Sequence, residues 1–248
     1  MSSGRQASDV DTGGQAPERR RTSDLPPSEG SARLAERLLG AEDLEFLRAL
    51  RTAGLLGELA GDELLRVATH VAETRTGLGR RIDLLEAYYE GPDPTAARRR
   101  RGRDRFFLQE TAAASTGKKL AAGLALIAPE VGAISLEHSG GADGPLVLRA
   151  GAHVAALLDD EEKLDTGEVD LSEVEGRRGL ATVTLRGLVR AVNVLLDHAG
   201  IRERLVGLRS DAAREVYAAV TVTQAIELAR GGWLEDEDVE DVMELGGW

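Results

Sequence analysis

The sequence predicts an α+β fold: a helical N-terminal segment, then a small, mostly antiparallel sheet covered by helices. Three observations carry this. Between residues 31 and 129 apolar residues recur at helical spacing and are cut by Gly and Pro into short runs. After Pro129 the period changes to alternation, first in Ala133 to Glu137. From there the order β-β-α-β-α-β-β-α lacks the regular alternation of a doubly wound parallel sheet.

Residues 1–30 hold few apolar side chains among Gly, Ser, Pro and Asp. Such a stretch cannot bury enough surface to offset its ordering entropy and reads as a disordered tail. Leu34, Leu38 and Leu39 open the first helix, stopped at Gly40, and Leu44, Phe46, Leu47 and Leu50 line the second, ended at Gly54. Asp62 suits the N-cap of a third, with Leu64, Leu65, Val67, Ala68 and Val71. Ile82, Leu84, Leu85 and Tyr88 or Tyr89 line a fourth, closed by Gly91-Pro92-Asp93-Pro94. A fifth is predicted from Thr95 through the Arg run to about Ala114, and a sixth from Gly117 to Ala128. Short helices with short connections fit a small bundle over 31–129.

The α+β domain is expected over 130–232. Ala133–Glu137 and Pro145–Arg149 flank a Gly-rich loop, a hairpin signal. Ala152–Leu158 reads as a short helix and 159–175 as an acidic loop. Thr182–Arg186 alternates as a strand, after which Gly187 opens a helix with Leu188, Val192, Leu195 and Leu196 on one face and Gly200 beyond its end. Arg204–Arg209 and Arg214–Val222 read as a second hairpin, and Thr221-x-x-Gln224 as a capping box for a helix ending at Gly231-Gly232.

Composition excludes several functions. The 248 residues contain no Cys, so disulfides, thiolate nucleophiles and Cys-ligated zinc or iron–sulfur sites are ruled out. No apolar run approaches the roughly 18 residues of a membrane-spanning helix, and Met1–Gly30 lacks the apolar stretch of a secretory signal. The expectation is a cytoplasmic protein of bacterial type with no membrane partner. The net charge of −12 argues against a surface that coats nucleic acid as a whole. That charge is uneven, since residues 31–130 are nearly neutral and the excess acid falls after residue 130. It concentrates in Asp159–Glu175, with nine acids and one Lys, and in Glu235–Glu244, with seven acids and no base.

No motif carries a convincing catalytic assignment. Ser115-Thr116-Gly117-Lys118-Lys119 lacks the first Gly and the preceding strand of a phosphate-binding loop, Ala112 standing at the Gly position. Ser115-x-x-Lys118 has the spacing of serine acyltransferases without their companion motifs. Asp165-Thr166-Gly167 matches an aspartic-protease triplet but sits among like charges that keep it solvated. Read as a calcium loop, the same stretch puts Leu164 at a ligand position, where no oxygen is available. His70, His138, His153 and His198 show no metal-ligand spacing, and His198 beside Asp197 suits a helix end. The sequence therefore predicts no catalytic residue, no metal ligand and no cofactor. An enzyme built from distant residues would have His138, His153, Asp143 and the Ser115–Lys118 turn as first suspects.

Two features point to binding. The acidic tail, 233–248, ends in Leu245-Gly246-Gly247-Trp248, with Val239, Val242 and Met243 at i, i+3, i+4. A terminal aromatic bearing the α-carboxylate behind flexible glycines can enter a basic or aromatic-accepting pocket of another protein. In design alone this is similar to the acidic, aromatic-ended tips of bacterial single-stranded-DNA-binding proteins. The leading expectation is a non-catalytic interaction or regulatory protein, an adaptor that binds through Glu235, Asp236, Glu237, Asp238, Val242, Met243 and Trp248. The competing expectation for this tail has Trp233, Val242 and Trp248 dock on their own domain. The second feature is the basic run Arg98, Arg99, Arg100, Arg101, Arg103 and Arg105, followed by Phe106-Phe107. Clustered Arg can neutralise phosphates, so the alternative expectation is a nucleic-acid-binding regulator. On a helix the run would instead pair with acids of the same chain, the 159–175 loop being the candidate.

Overall fold

The structure is a computed structural model that describes residues 27–57, 59, 61–73, 80–90, 105–110, 115–157, 183–209 and 214–245. Within them lie eight α-helices and two three-stranded antiparallel sheets, an α+β fold. Four helices come first: α1 (Pro27–Leu38), α2 (Ala41–Thr52), α3 (Gly61–Glu73) and α4 (Arg80–Glu90). Helix α1 begins inside the stretch read as tail. Pro27 stands at its first position, where the missing N–H is no loss. Asp62 lies inside α3 rather than at its cap. The start of α2 is held by Asp43, whose carboxylate accepts the Gly40 N–H at 3.1 Å and the Arg80 Nε at 3.0 Å. Two tyrosines of α4 fix the turn after α2, because Tyr89 donates to the Leu55 carbonyl and the Gly57 N–H donates to Tyr88.

The first correction falls on the predicted fifth helix. Residues 106–110 form strand β1 (Phe106–Glu110), which pairs antiparallel with β6 (Arg214–Thr221), Phe106 lying opposite Ala218. Strand β5 (Glu203–Leu208) flanks β6 on its other side, giving the order β1-β6-β5. This sheet is a partition between two cores. Phe106, Val206, Leu208, Val216, Ala218 and Val220 face α1–α4. Leu205, Tyr217 and Ala219 face the opposite core, with Phe107 packed against it. Two-residue alternation thus sends the adjacent phenylalanines to opposite faces, which a helix could not do. Because β1 belongs to this sheet, the boundary expected at 129/130 is crossed by backbone pairing.

The second core contains α5 (Gly117–Ile127), α6 (Leu185–His198) and the sheet β2 (Ile134–His138), β3 (Leu146–Ala150), β4 (His153–Ala156). The expected β2–β3 hairpin forms, with Leu136 opposite Leu148. Residues 153–156, read as a helix, are instead β4: Gly151 at φ +59 turns the chain back so that His153 lies opposite Ala150. The expected strand at 182–186 is also corrected. Thr184 is the N-cap of α6, accepting the Gly187 N–H at 3.0 Å, so Leu185 and Arg186 are helical. That helix ends as predicted at Gly200, φ +71, with the Ile201 N–H reaching the Leu196 carbonyl. Thr221 and Gln224 form the expected capping box of α7 (Val222–Arg230).

Sheet edges need partners. At Leu205 the outer edge of β5 is closed by a side chain of α6: Asn193 donates to the Leu205 carbonyl at 2.9 Å and accepts its N–H at 2.8 Å. Asn193→Ala should lower stability by about 1–3 kcal/mol, because two backbone groups lose their partner. In urea unfolding the midpoint should fall while the slope stays unchanged.

Candidate functional site

Farther along the same edge of β5 the partner is the C-terminal segment. After α7, Gly232 at φ +72 redirects the chain inward. Trp233 is buried, its ring 5.3 Å from that of Phe46. The Arg81 guanidinium lies 5.0 Å from the Trp233 ring and 5.8 Å from that of Phe46, and it also donates to the Arg209 carbonyl. Leu234 bridges to Leu208. The Arg209 N–H donates to the Trp233 carbonyl at 2.8 Å and the Glu235 N–H to the Gly207 carbonyl at 3.0 Å. The chain then turns into α8 (Asp236–Leu245), whose first amides bond back to the Glu235 carbonyl.

One face of α8 is seated and the other is in solvent. Val242 is buried, and Val239 packs on the same core. Asp238 is buried as well. Its Oδ2 accepts the Gly207 N–H at 3.1 Å and lies 3.5 Å from Arg186 Nη2. Arg186 Nε also makes an ionic contact with Glu237, one that is not a directed hydrogen bond. One turn on, Arg190 lies 3.5 Å from Glu237, and Arg209 pairs with Asp236. Asp236, Glu237, Glu240 and Asp241 are exposed.

Seating perturbs three groups. Burial pushes the Asp238 carboxyl up to about 6, helped by Asp241 and Glu235 and opposed by Arg186 and the Gly207 N–H. Burial also raises the Tyr217 phenol well above its ordinary value, and the charge of Glu215, which accepts its O–H, adds to this. Arg186 is held above its usual value: burial acts to lower it, but Asp238 foremost, then Tyr217, Glu237 and Asp241, outweigh that.

Of the two expectations for the acidic tail, the competing one holds for Trp233 and Val242, which pack on their own chain, and Asp238 is seated with them. Glu235, Asp236, Glu237, Asp238 and Val242 come together there, with Asp238 and Val242 facing inward. Met243 lies on α8, and Trp248 lies outside the described residues. No family model, curated protein or solved structure matches the chain. Arg98–Arg101, Arg103 and the 159–175 loop also lie outside the described residues. Arg105 is engaged internally: Nη1 reaches Glu203 and the Ala219 carbonyl, both at 3.3 Å, so its acidic partner is on β5.

Of the enzyme suspects, the two histidines stand apart. His138 faces Leu146 and His153 faces Ala150, opposite ends of β3, roughly 13 Å apart at strand spacing. Ser115 accepts from Gln109 at 3.4 Å, and His138 Nδ1 lies 2.9 Å from the Gly144 carbonyl. Sequence reasoning missed Arg186, Arg190, Arg209, Tyr217 and Gly207. The available signal was Arg186 and Arg190 at i, i+4 beside the apolar stripe of α6, a basic pair suited to an acidic helix. Among the described residues no helix is long and apolar enough to cross a membrane.

Two substitutions test the seat. A Cβ on Gly207 would stand 2.7 Å from Asp238 Oδ2 and 3.2 Å from Glu235 Cγ. Gly207→Ala should therefore displace the start of α8 and destabilise by about 1–3 kcal/mol in thermal unfolding. Arg186→Met leaves Asp238 buried among acids and should cost about 3–5 kcal/mol, most of it recovered when Asp238→Asn is added.

Proposed function

We propose that this is a non-catalytic cytoplasmic protein-interaction or regulatory protein whose partner surface is the outer face of α8. The observation that carries this reading is the division of one acidic helix. Asp238, Val239 and Val242 are spent on seating it, while Asp236, Glu237, Glu240 and Asp241 form an exposed acidic row. A helix held on one side presents fixed charges without the ordering entropy that a free tail would lose on binding. The partner would be a protein with a complementary basic surface, recognised through long-range attraction and therefore in a salt-dependent way. Trp248, three residues past α8, would add the aromatic contact. Nucleic-acid binding through Arg98–Arg105 draws no support from Arg105, which is engaged with Glu203.

The test is affinity capture from a bacterial cytosolic extract with the full chain and with Glu240→Lys as baits. Proteins that the wild type holds in a salt-sensitive way should be depleted by about tenfold on the variant, the effect of roughly 1.4 kcal/mol. An identical captured set, with circular dichroism showing both baits folded, would overturn the reading.

A further inference from the structure

We infer that Asp238 is a proton-linked latch for α8: the seated helix binds a proton at this carboxyl more tightly than the released helix does, so acid holds α8 on β5. The geometry carries this. The Asp238 side chain is about 10% exposed and sits against the backbone of Gly207, where not even a methyl group fits. The cation facing it is Arg186, at 3.5 Å and already shared with Glu237. Glu237 and Asp241 of the same helix also act on that one guanidinium, and Glu235 and Asp241 act on Asp238 itself. From α6 the second cation, Arg190, faces Glu237, and from β6 comes the phenol of Tyr217, which is neutral and backed by Glu215. On α7, which also packs on α8, Glu227 and Arg230 pair with each other at 3.1 Å, and Arg209 beyond β5 takes Asp236. Burial of the carboxyl acts most strongly, and with the like charges of Asp241 and Glu235 it outweighs Arg186 and the Gly207 N–H, so the seated group binds a proton more tightly than the same group in water.

The sign follows from linkage. The seated carboxyl titrates near 6, and in the released helix it returns to the ordinary range near 4. The seated form therefore holds the proton more strongly and is favoured by acid. Seating is strongest below about 4, weakens as pH rises, and reaches its weakest level above about 6. This deepens the reading of α8 as the partner-facing helix, since the acidic row is rigidly presented only while α8 is seated. The device would make presentation respond to pH just below neutrality.

The test uses the full chain and no partner, so it fails or succeeds independently of the capture experiment. Amide hydrogen exchange of α8, corrected for intrinsic rate, should show its opening equilibrium rising by about tenfold between pH 5 and pH 7. Asp238→Asn should abolish that dependence. An opening equilibrium that does not change with pH in the wild type, or an unchanged dependence in the variant, overturns the latch. A second measurement stands even if the variant does not fold: the carbon-13 carboxyl resonance of Asp238 in the wild type. A midpoint near 6 supports the latch, and a midpoint near 4 overturns it.

Discussion

The outer edge of β5 is the constraint from which the rest of the architecture follows. A strand with one side paired still offers unpaired N–H and C=O groups along the other, and burying them unpaired is costly. Here the row is closed residue by residue. Asn193 serves Leu205, Asp238 and Glu235 serve Gly207, and Trp233 serves Arg209. Three different chemistries, a side-chain amide, a carboxylate and two backbone groups, together stand in for a fourth strand. Meeting this requirement brings the C-terminal segment back to the sheet, and that in turn places Trp233 against Phe46 and Arg81.

The ionic cluster under α8 is a consequence of that closure and only a modest source of stability. Desolvating a guanidinium and a carboxylate offsets most of their attraction, so the Arg186–Asp238 pair contributes little net while being expensive to break on one side. Its value is positional. Asp238 can accept the Gly207 N–H in only one register of α8, and that register turns Asp236, Glu237, Glu240 and Asp241 outward. The apolar anchors Val239 and Val242 supply the area term, and the buried carboxylate supplies the alignment.

What was legible in the sequence was local. The glycines that bound α2, the β2–β3 hairpin, the Thr221–Gln224 box and the Gly200 terminus are all written within a few residues of where they act. What was missed depends on distant partners. Phe106–Glu110 has Arg-dense flanking sequence and reveals itself as a strand only beside β6. His153–Ala156 is rich in Ala, yet its pairing with β3 overrides helix propensity. Thr184 was read as a strand residue because capping and β-alternation share the same β-branched side chain. The tail's acids were visible, but the seat was not: Arg186, Gly207 and Tyr217 lie far upstream and converge only in the fold.

The pairing of β1 with β6 bears on how such a chain is made. Phe106 lies opposite Ala218, more than a hundred residues later. A ribosome releasing this polypeptide therefore delivers α1–α4 and β1 well before the strand that completes their sheet. During that interval the apolar face that will become the first core, Phe46 and Leu50 among it, lacks its lid of Val216, Ala218 and Trp233. Closing so long a loop is slow, because its entropy must be surrendered before the contacts repay it. The nascent N-terminal half is thus the species on which chaperones would act during synthesis.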